Sequence, residues 1–119
     1  MLRKKWKDVK KGDKIYIIRK NKKTKLFKIS TVKVNNVLLY DFYGNEYLQF
    51  NCGRDQTFLA KKEETNFKKV FEKIYFFTEK DEAIDALDAV LCEYKEELET
   101  KINELINLIV EIDNLREDI

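Results

Sequence analysis

The chain has no histidine and no proline, and among its 119 residues there are only three glycines, two cysteines and one tryptophan. The missing histidine removes the commonest general base near neutral pH and the commonest metal ligand together. Cys52 and Cys92 lie far apart in the chain; a zinc site built from two distant thiols and carboxylates would be unusual, and a disulfide is not expected in a cytoplasmic chain. The glycines, Gly12, Gly44 and Gly53, never cluster into a phosphate-cradling loop. No run approaches the roughly 18 apolar residues of a membrane span, and residues 1–20 lack a signal peptide's apolar stretch. These absences predict a soluble, cytoplasmic, non-catalytic protein without metal, cofactor or membrane partner. Carboxylate pairs such as Glu63-Glu64 and Glu96-Glu97 sit in runs that read as solvated, not as acid–base pairs.

Charge is abundant and unevenly placed. Charged residues make up 39% of the chain, against an average near a quarter, and the net charge of +2 conceals two opposed ends. Residues 1–33 carry fourteen Lys/Arg against Asp8 and Asp13, a net of +12. Residues 79–119 carry fourteen Asp/Glu against four Lys/Arg, a net of −10. A 13% aromatic content argues against disorder. The reading is a basic β-domain over residues 1–78 and an acidic, coiled-coil-like helix over 79–119, together an α+β protein.

The helix is announced by a heptad seam. Alternate steps of three and four from Ile84 reach Leu87, Leu91, Tyr94, Leu98, Lys101, Leu105, Leu108, Ile112, Leu115 and Ile119, with Lys101 the one break. Such a repeat predicts association with a partner helix, so a homo-oligomer is expected. The oligomerising positions are Leu91, Tyr94, Leu98, Leu105, Leu108, Ile112 and Leu115. Ile102, Ile106, Ile109 and Val110 widen the stripe, which suits more than one neighbour. Thr78 reads as the N-cap, and a break near Thr100 would give a hairpin of two helices as the alternative to one continuous rod. Lys101 either snorkels to the edge of the seam or pairs with a carboxylate and sets register.

The first half reads as short strands at Lys14–Lys20 and at residues 26–34, 37–43, 46–50 and 57–60. Turns fall at 21–23, at Asn35-Asn36 and at the glycines. A loop or short helix over 62–70 precedes a sixth strand at about 72–77. Turn signals this frequent predict a small antiparallel barrel or strongly bent sheet.

Two functional surfaces follow from residue type. The basic start, with Trp6 among Lys4, Lys5, Lys7, Lys10 and Lys11, could hold nucleic acid, lysines meeting phosphate and tryptophan stacking on a base; Lys20, Lys22, Lys23, Lys25 and Lys28 would extend it. The plainer alternative is a solvated lysine face with Trp6 as lid of the barrel. For a small anionic nucleotide the expected donors are Arg3, Arg19, Lys20 and Arg54, with Trp6 or Tyr16 as stacking face. Cys52, beside Gly53-Arg54, reads as a buried structural thiol in preference to an activated one.

The segment Val9-Lys10-Lys11-Gly12-Asp13-Lys14-Ile15-Tyr16-Ile17 resembles the first strand of SH3-like barrel modules. The junction from Ile74 to Ala83 is similar to strand-to-helix junctions in small proteins of bacteriophages and Gram-positive mobile elements. Together these cover about a quarter of the chain and carry over no functional residue. The resemblance implies a phage-like or low-GC bacterial origin and no activity. Because small phage proteins of this build often block or sequester host components, the expectation is a phage accessory or anti-defence protein in the host cytoplasm that blocks a host protein or sequesters a nucleotide signal, with a nucleic-acid-binding accessory protein as the alternative.

Overall fold

β-Branched and aromatic segments form the strands expected of them, and a computed structural model describes residues 3–53 and 57–118. β1 (Lys14–Lys20) follows the Gly12 turn, and an exposed loop over 21–26 leads into β2 (Phe27–Phe42). β3 (Asn45–Cys52), β4 (Thr57–Lys61), β5 (Asn66–Lys69), β6 (Ile74–Phe77) and α1 (Lys80–Glu117) come next. The fold is α+β. Six antiparallel strands in the order β4-β3-β2-β1-β6-β5 curl into a nearly closed barrel, and one long helix follows. The chain divides into two compact units, residues 1–87 and 88–119, so the first two turns of α1 belong with the strands. No helix among the described residues is long and apolar enough to cross a membrane.

β2 is the element that makes the barrel. Its first half pairs with β1 from Lys20↔Phe27 to Lys14↔Lys33, and its second half pairs with β3 from Val34↔Cys52 to Phe42↔Asn45. Between Val34 and Asn36 the register slips by one residue, so Asn35 is a bulge. A bulge bends and twists its strand, which lets one strand serve both halves of the curled sheet. The Asn35-Asn36 pair is therefore no turn, and the two strands expected at 26–34 and 37–43 are a single sixteen-residue strand. At the far end of β2, Tyr43 and Gly44 both have positive φ, 51° and 82°, the two-residue hairpin geometry that suits the strands' twist.

Inward-facing residues meet in one aromatic core: Ile15, Ile17, Val34, Phe50, Phe58 and Phe76, joined by Trp6 from the N-terminal segment. Phe58 on β4 stacks on Phe67 of β5 at 5.4 Å and on Phe76 of β6 at 4.1 Å. Side chains thus close the seam between the two edge strands, which share no backbone ladder. A single 3-10 turn, Trp6–Asp8, plugs the same region. The Trp6 ring lies 5.1 Å from Phe50 and 5.2 Å from Phe58, its indole N–H donates to the Asn66 carbonyl, and its backbone N–H donates to that of Glu64. Burying a tryptophan completely is worth on the order of 4–6 kcal/mol.

Two further expectations are corrected. The stretch at 62–70 contains β5, a strand, where a loop or short helix was expected; Phe67 packs into the core while Val70 and Phe71 face solvent. The Thr78 hydroxyl does not cap α1: it donates to the carbonyl of Lys4, with that of Thr65 as second acceptor. The helix is the continuous rod and not the hairpin alternative; near its middle the Thr100 hydroxyl donates to the Glu96 carbonyl one turn back at 3.0 Å. At about 1.5 Å per residue, α1 is roughly 57 Å long.

Candidate functional site

Between Asp13 and Asp41 the sequence has no carboxylate, and eight Lys/Arg fall in that interval. The fold concentrates most of them on the β1–β2 hairpin. Its loop is internally satisfied. Asn21 exchanges backbone bonds with Leu26 and Lys25, and its side-chain oxygen accepts from the N–H groups of Lys23 at 2.8 Å and Thr24 at 3.2 Å. Lys25 holds the turn with a φ of 59°. The backbone being ordered by its own bonds, the lysine side chains of the loop have no structural task and point into solvent.

Strand pairing then adds a charged wall. Arg19 and Lys28 are direct cross-strand partners, and Ile17↔Ser30 is the next pair on that face. Arg19, Lys20, Asn21, Lys28 and Ser30 line a cleft of about 230 Å³, and Arg19, Lys20, Asn21, Lys22 and Lys23 line a second of about 490 Å³. Among the described residues, Arg19, Lys22, Lys23, Lys25 and Lys28 have no carboxylate at ion-pair distance. Lys20 lies over the ring of Phe27, 5.9 Å from its centroid.

Arg3, Lys4, Lys5 and Lys7 are in a different state. Lys4 pairs with Asp13 at 2.7 Å, Lys5 and Lys7 both reach Glu63 at 2.9 Å, and Arg3 lies 3.4 Å from Glu82 and 3.9 Å from Asp81. Hydrogen bonds from Lys5 and then Lys7 bring the Glu63 carboxyl down to about 2. The bond from the Lys4 ammonium, followed by that from the Lys10 backbone N–H, holds Asp13 below the usual carboxylate range. The Glu63 bond likewise raises Lys7. Glu82 also accepts from Thr65 and Asn66, so this end of the sheet and the first turn of α1 are fastened by one carboxylate.

The predicted ligand residues therefore do not converge. Arg3 is held by carboxylates, and Trp6 is fully buried and offers no face to a ligand. Tyr16 is half-buried and, three positions from Arg19 on β1, projects from the opposite side of the sheet, across from Phe77. Arg54 lies outside the described residues. Arg19 and Lys20 do come together, and Lys28 and Ser30, brought alongside by β2, complete the wall. Ser30 carries no signal in sequence, whereas Lys28 is among the lysines expected to extend the basic surface.

Other chemistry is sparse. No group of three or more Cys, Asp or Glu suited to a metal occurs among the described residues. Burial raises the Cys52 thiol to about 11, which removes it as a nucleophile at neutral pH. Along α1, Leu91 and Tyr94 are half-buried, whereas Leu98, Leu105, Leu108, Ile112 and Leu115 are 40–65% exposed, as are the flanking Ile102, Ile106, Ile109 and Val110. Comparison with known proteins finds no matching family model, no matching curated protein and no matching solved structure, so the site has to be understood from its own residues.

Proposed function

We propose that this is a non-catalytic binding protein that self-associates through α1 and holds a polyanion, foremost the phosphate backbone of a nucleic acid, on the β1–β2 hairpin. The observation that carries the reading is the contrast between two sets of cations. Arg3, Lys4, Lys5 and Lys7 of the N-terminal segment are paired with carboxylates within the fold, whereas Arg19, Lys22, Lys23, Lys25 and Lys28 have no carboxylate partner among the described residues. Lysines of this kind neutralise phosphates and release counterions, which supplies affinity without sequence preference. With Arg19 the single arginine on the hairpin, bidentate reading of base edges has little to work with. Association through α1 would place several hairpins on one polymer, so weak individual contacts add by avidity.

The test is fluorescence anisotropy with labelled DNA and RNA oligonucleotides at low salt. The triple variant Lys22→Gln/Lys23→Gln/Lys25→Gln should lose about tenfold or more in affinity, or at least 1.4 kcal/mol. The variant Lys5→Gln/Lys7→Gln, which alters the paired cations, should bind nearly as the parent does. Equal losses from both would remove the hairpin as the binding element.

A second reading, sequestration of a small nucleotide signal by a phage anti-defence protein, is favoured by the two cationic clefts that share Arg19, Lys20 and Asn21. Neither cleft is lined by an aromatic ring on which a base would stack, which weighs toward a polymeric anion. Filtration of protein mixed with a cyclic dinucleotide separates the two: a sequesterer retains the ligand and returns it unchanged on heating.

A further inference from the structure

We infer that α1 pairs with α1 of a second copy in antiparallel orientation, Lys101 of each copy set against Glu111 of the other. The inference rests on the self-association proposed above and gives it a geometry.

The surface is large enough for a stable pair. Eight large aliphatic side chains between residues 102 and 115 are 48–65% exposed. Six of them, Ile102, Leu105, Leu108, Ile109, Ile112 and Leu115, lie on the seam and its flank and together present roughly 650 Å² per copy, within the roughly 600–1,000 Å² that each partner contributes to a standard stable interface. Leu98, Lys101, Leu105, Leu108, Ile112 and Leu115 form the seam, with Ile102 and Ile109 one position after its d sites and Glu97, Glu104 and Glu111 one position before its a sites.

Orientation follows from what each arrangement sets against these flanks. In a parallel, in-register pair, Lys101 enters a hole made by Leu98, Lys101, Ile102 and Leu105 of the other copy: two ammonium groups meet in an apolar seam without a carboxylate. The same arrangement places Ile102 and Ile109 against Glu97 and Glu104. In an antiparallel pair centred on the apolar segment, with Leu98 opposite Leu115, Lys101 faces Ile112 and has Glu111 at the rim of its hole. Ile102 then meets Ile109 across the other flank. Both mismatches of the parallel pair become matches. The acidic flank, where Glu104 and Glu111 of the two copies approach, gains Lys101 as its cation.

Cys92 is exposed on α1 and Cys52 is buried, so a nitroxide label can be attached to the unaltered protein at Cys92. In the antiparallel pair the two Cys92 residues are 29 helical positions apart, about 44 Å at 1.5 Å per residue, whereas a parallel pair keeps them within about 20 Å. Dipolar spectroscopy should give a peak near 44 Å. A distribution with no peak there, from a protein that light scattering shows to be oligomeric, overturns the orientation and leaves self-association standing; a monomer overturns both. The second arm is a charge exchange. Lys101→Glu should weaken the assembly about tenfold, and adding Glu111→Lys to it should restore most of the loss. Failure of that restoration overturns the pairing.

Discussion

Arg19 on β1 and Lys28 on β2 stand directly opposite each other in the antiparallel register, with no carboxylate beside either among the described residues. Like charges so placed destabilise a sheet by about 0.2–1 kcal/mol. The same strand pair also sets Lys14 opposite Lys33, so the cost recurs along the hairpin and marks a surface shaped by something other than folding. Lys28→Glu should therefore stabilise the protein, by about 0.5 kcal/mol or 2–4 °C in Tm, while weakening polyanion binding. Calorimetry and anisotropy on the same variant check both signs; a lower Tm, or unchanged binding, would contradict the assignment.

Trp6 is the sole tryptophan and has no exposed surface. Trp6→Ala removes the aromatic plug between β4 and β5 and should cost about 3–5 kcal/mol, a large part of the stability of a small domain. Urea denaturation of the variant measures it. In the parent protein, the emission of Trp6 should be that of a buried indole and should not change when an oligonucleotide binds. Quenching by a bound base would place Trp6 in the site and refute its role as a plug.

Glu63 gives the fold a defined acid response. Its folded pKa, about 2, lies below its ordinary 4.5, so the stabilisation by Lys5 and Lys7 is complete above about pH 4.5 and is lost as the pH falls toward 2. Tm measured between those values should fall more steeply for the parent than for Glu63→Gln. The difference should shrink in high salt, since the pair is exposed to solvent. Identical acid profiles would show that the pair contributes nothing.

Much of this molecule is written in local pattern. The heptad seam from Ile84 is one helix, Lys14–Lys20 is a strand with the predicted bounds, and Gly12, Gly44 and Gly53 all take positive φ in or beside turns. What failed depends on distant partners. Phe67, Val70, Phe71 and Ile74 have helical spacing, yet Phe67 is drawn into a strand by the rings of Phe58 and Phe76, and Phe71 is left outside. Asn35-Asn36 has turn chemistry, but a bulge needs only one extra residue of the same kind. The candidate site was half-legible for the same reason. The lysine excess is plain in the sequence, but which lysines are neutralised depends on pairs such as Lys5–Glu63, fifty-eight residues apart.

The β2–β3 turn offers a check on the local reading. Tyr43 holds a φ of 51°, is 90% exposed, and precedes Gly44 in a turn that favours Asn-Gly. Tyr43→Asn should stabilise the hairpin by about 0.5–1 kcal/mol, seen as a higher urea midpoint with an unchanged m-value. A lower midpoint would mean that the Tyr43 ring, 4.5 Å from Phe42, contributes more than the backbone strain costs.

The central claim is that the hairpin's cations bind phosphate, and its most direct test is the salt dependence of affinity for a short duplex, measured for the parent protein and for Lys22→Gln/Lys23→Gln/Lys25→Gln. Each phosphate contact contributes about −0.9 to the slope of log affinity against log salt. The account predicts a slope of several units for the parent, reduced by roughly 2–3 in the variant. A slope near zero, or one that the three substitutions leave unchanged, would contradict it.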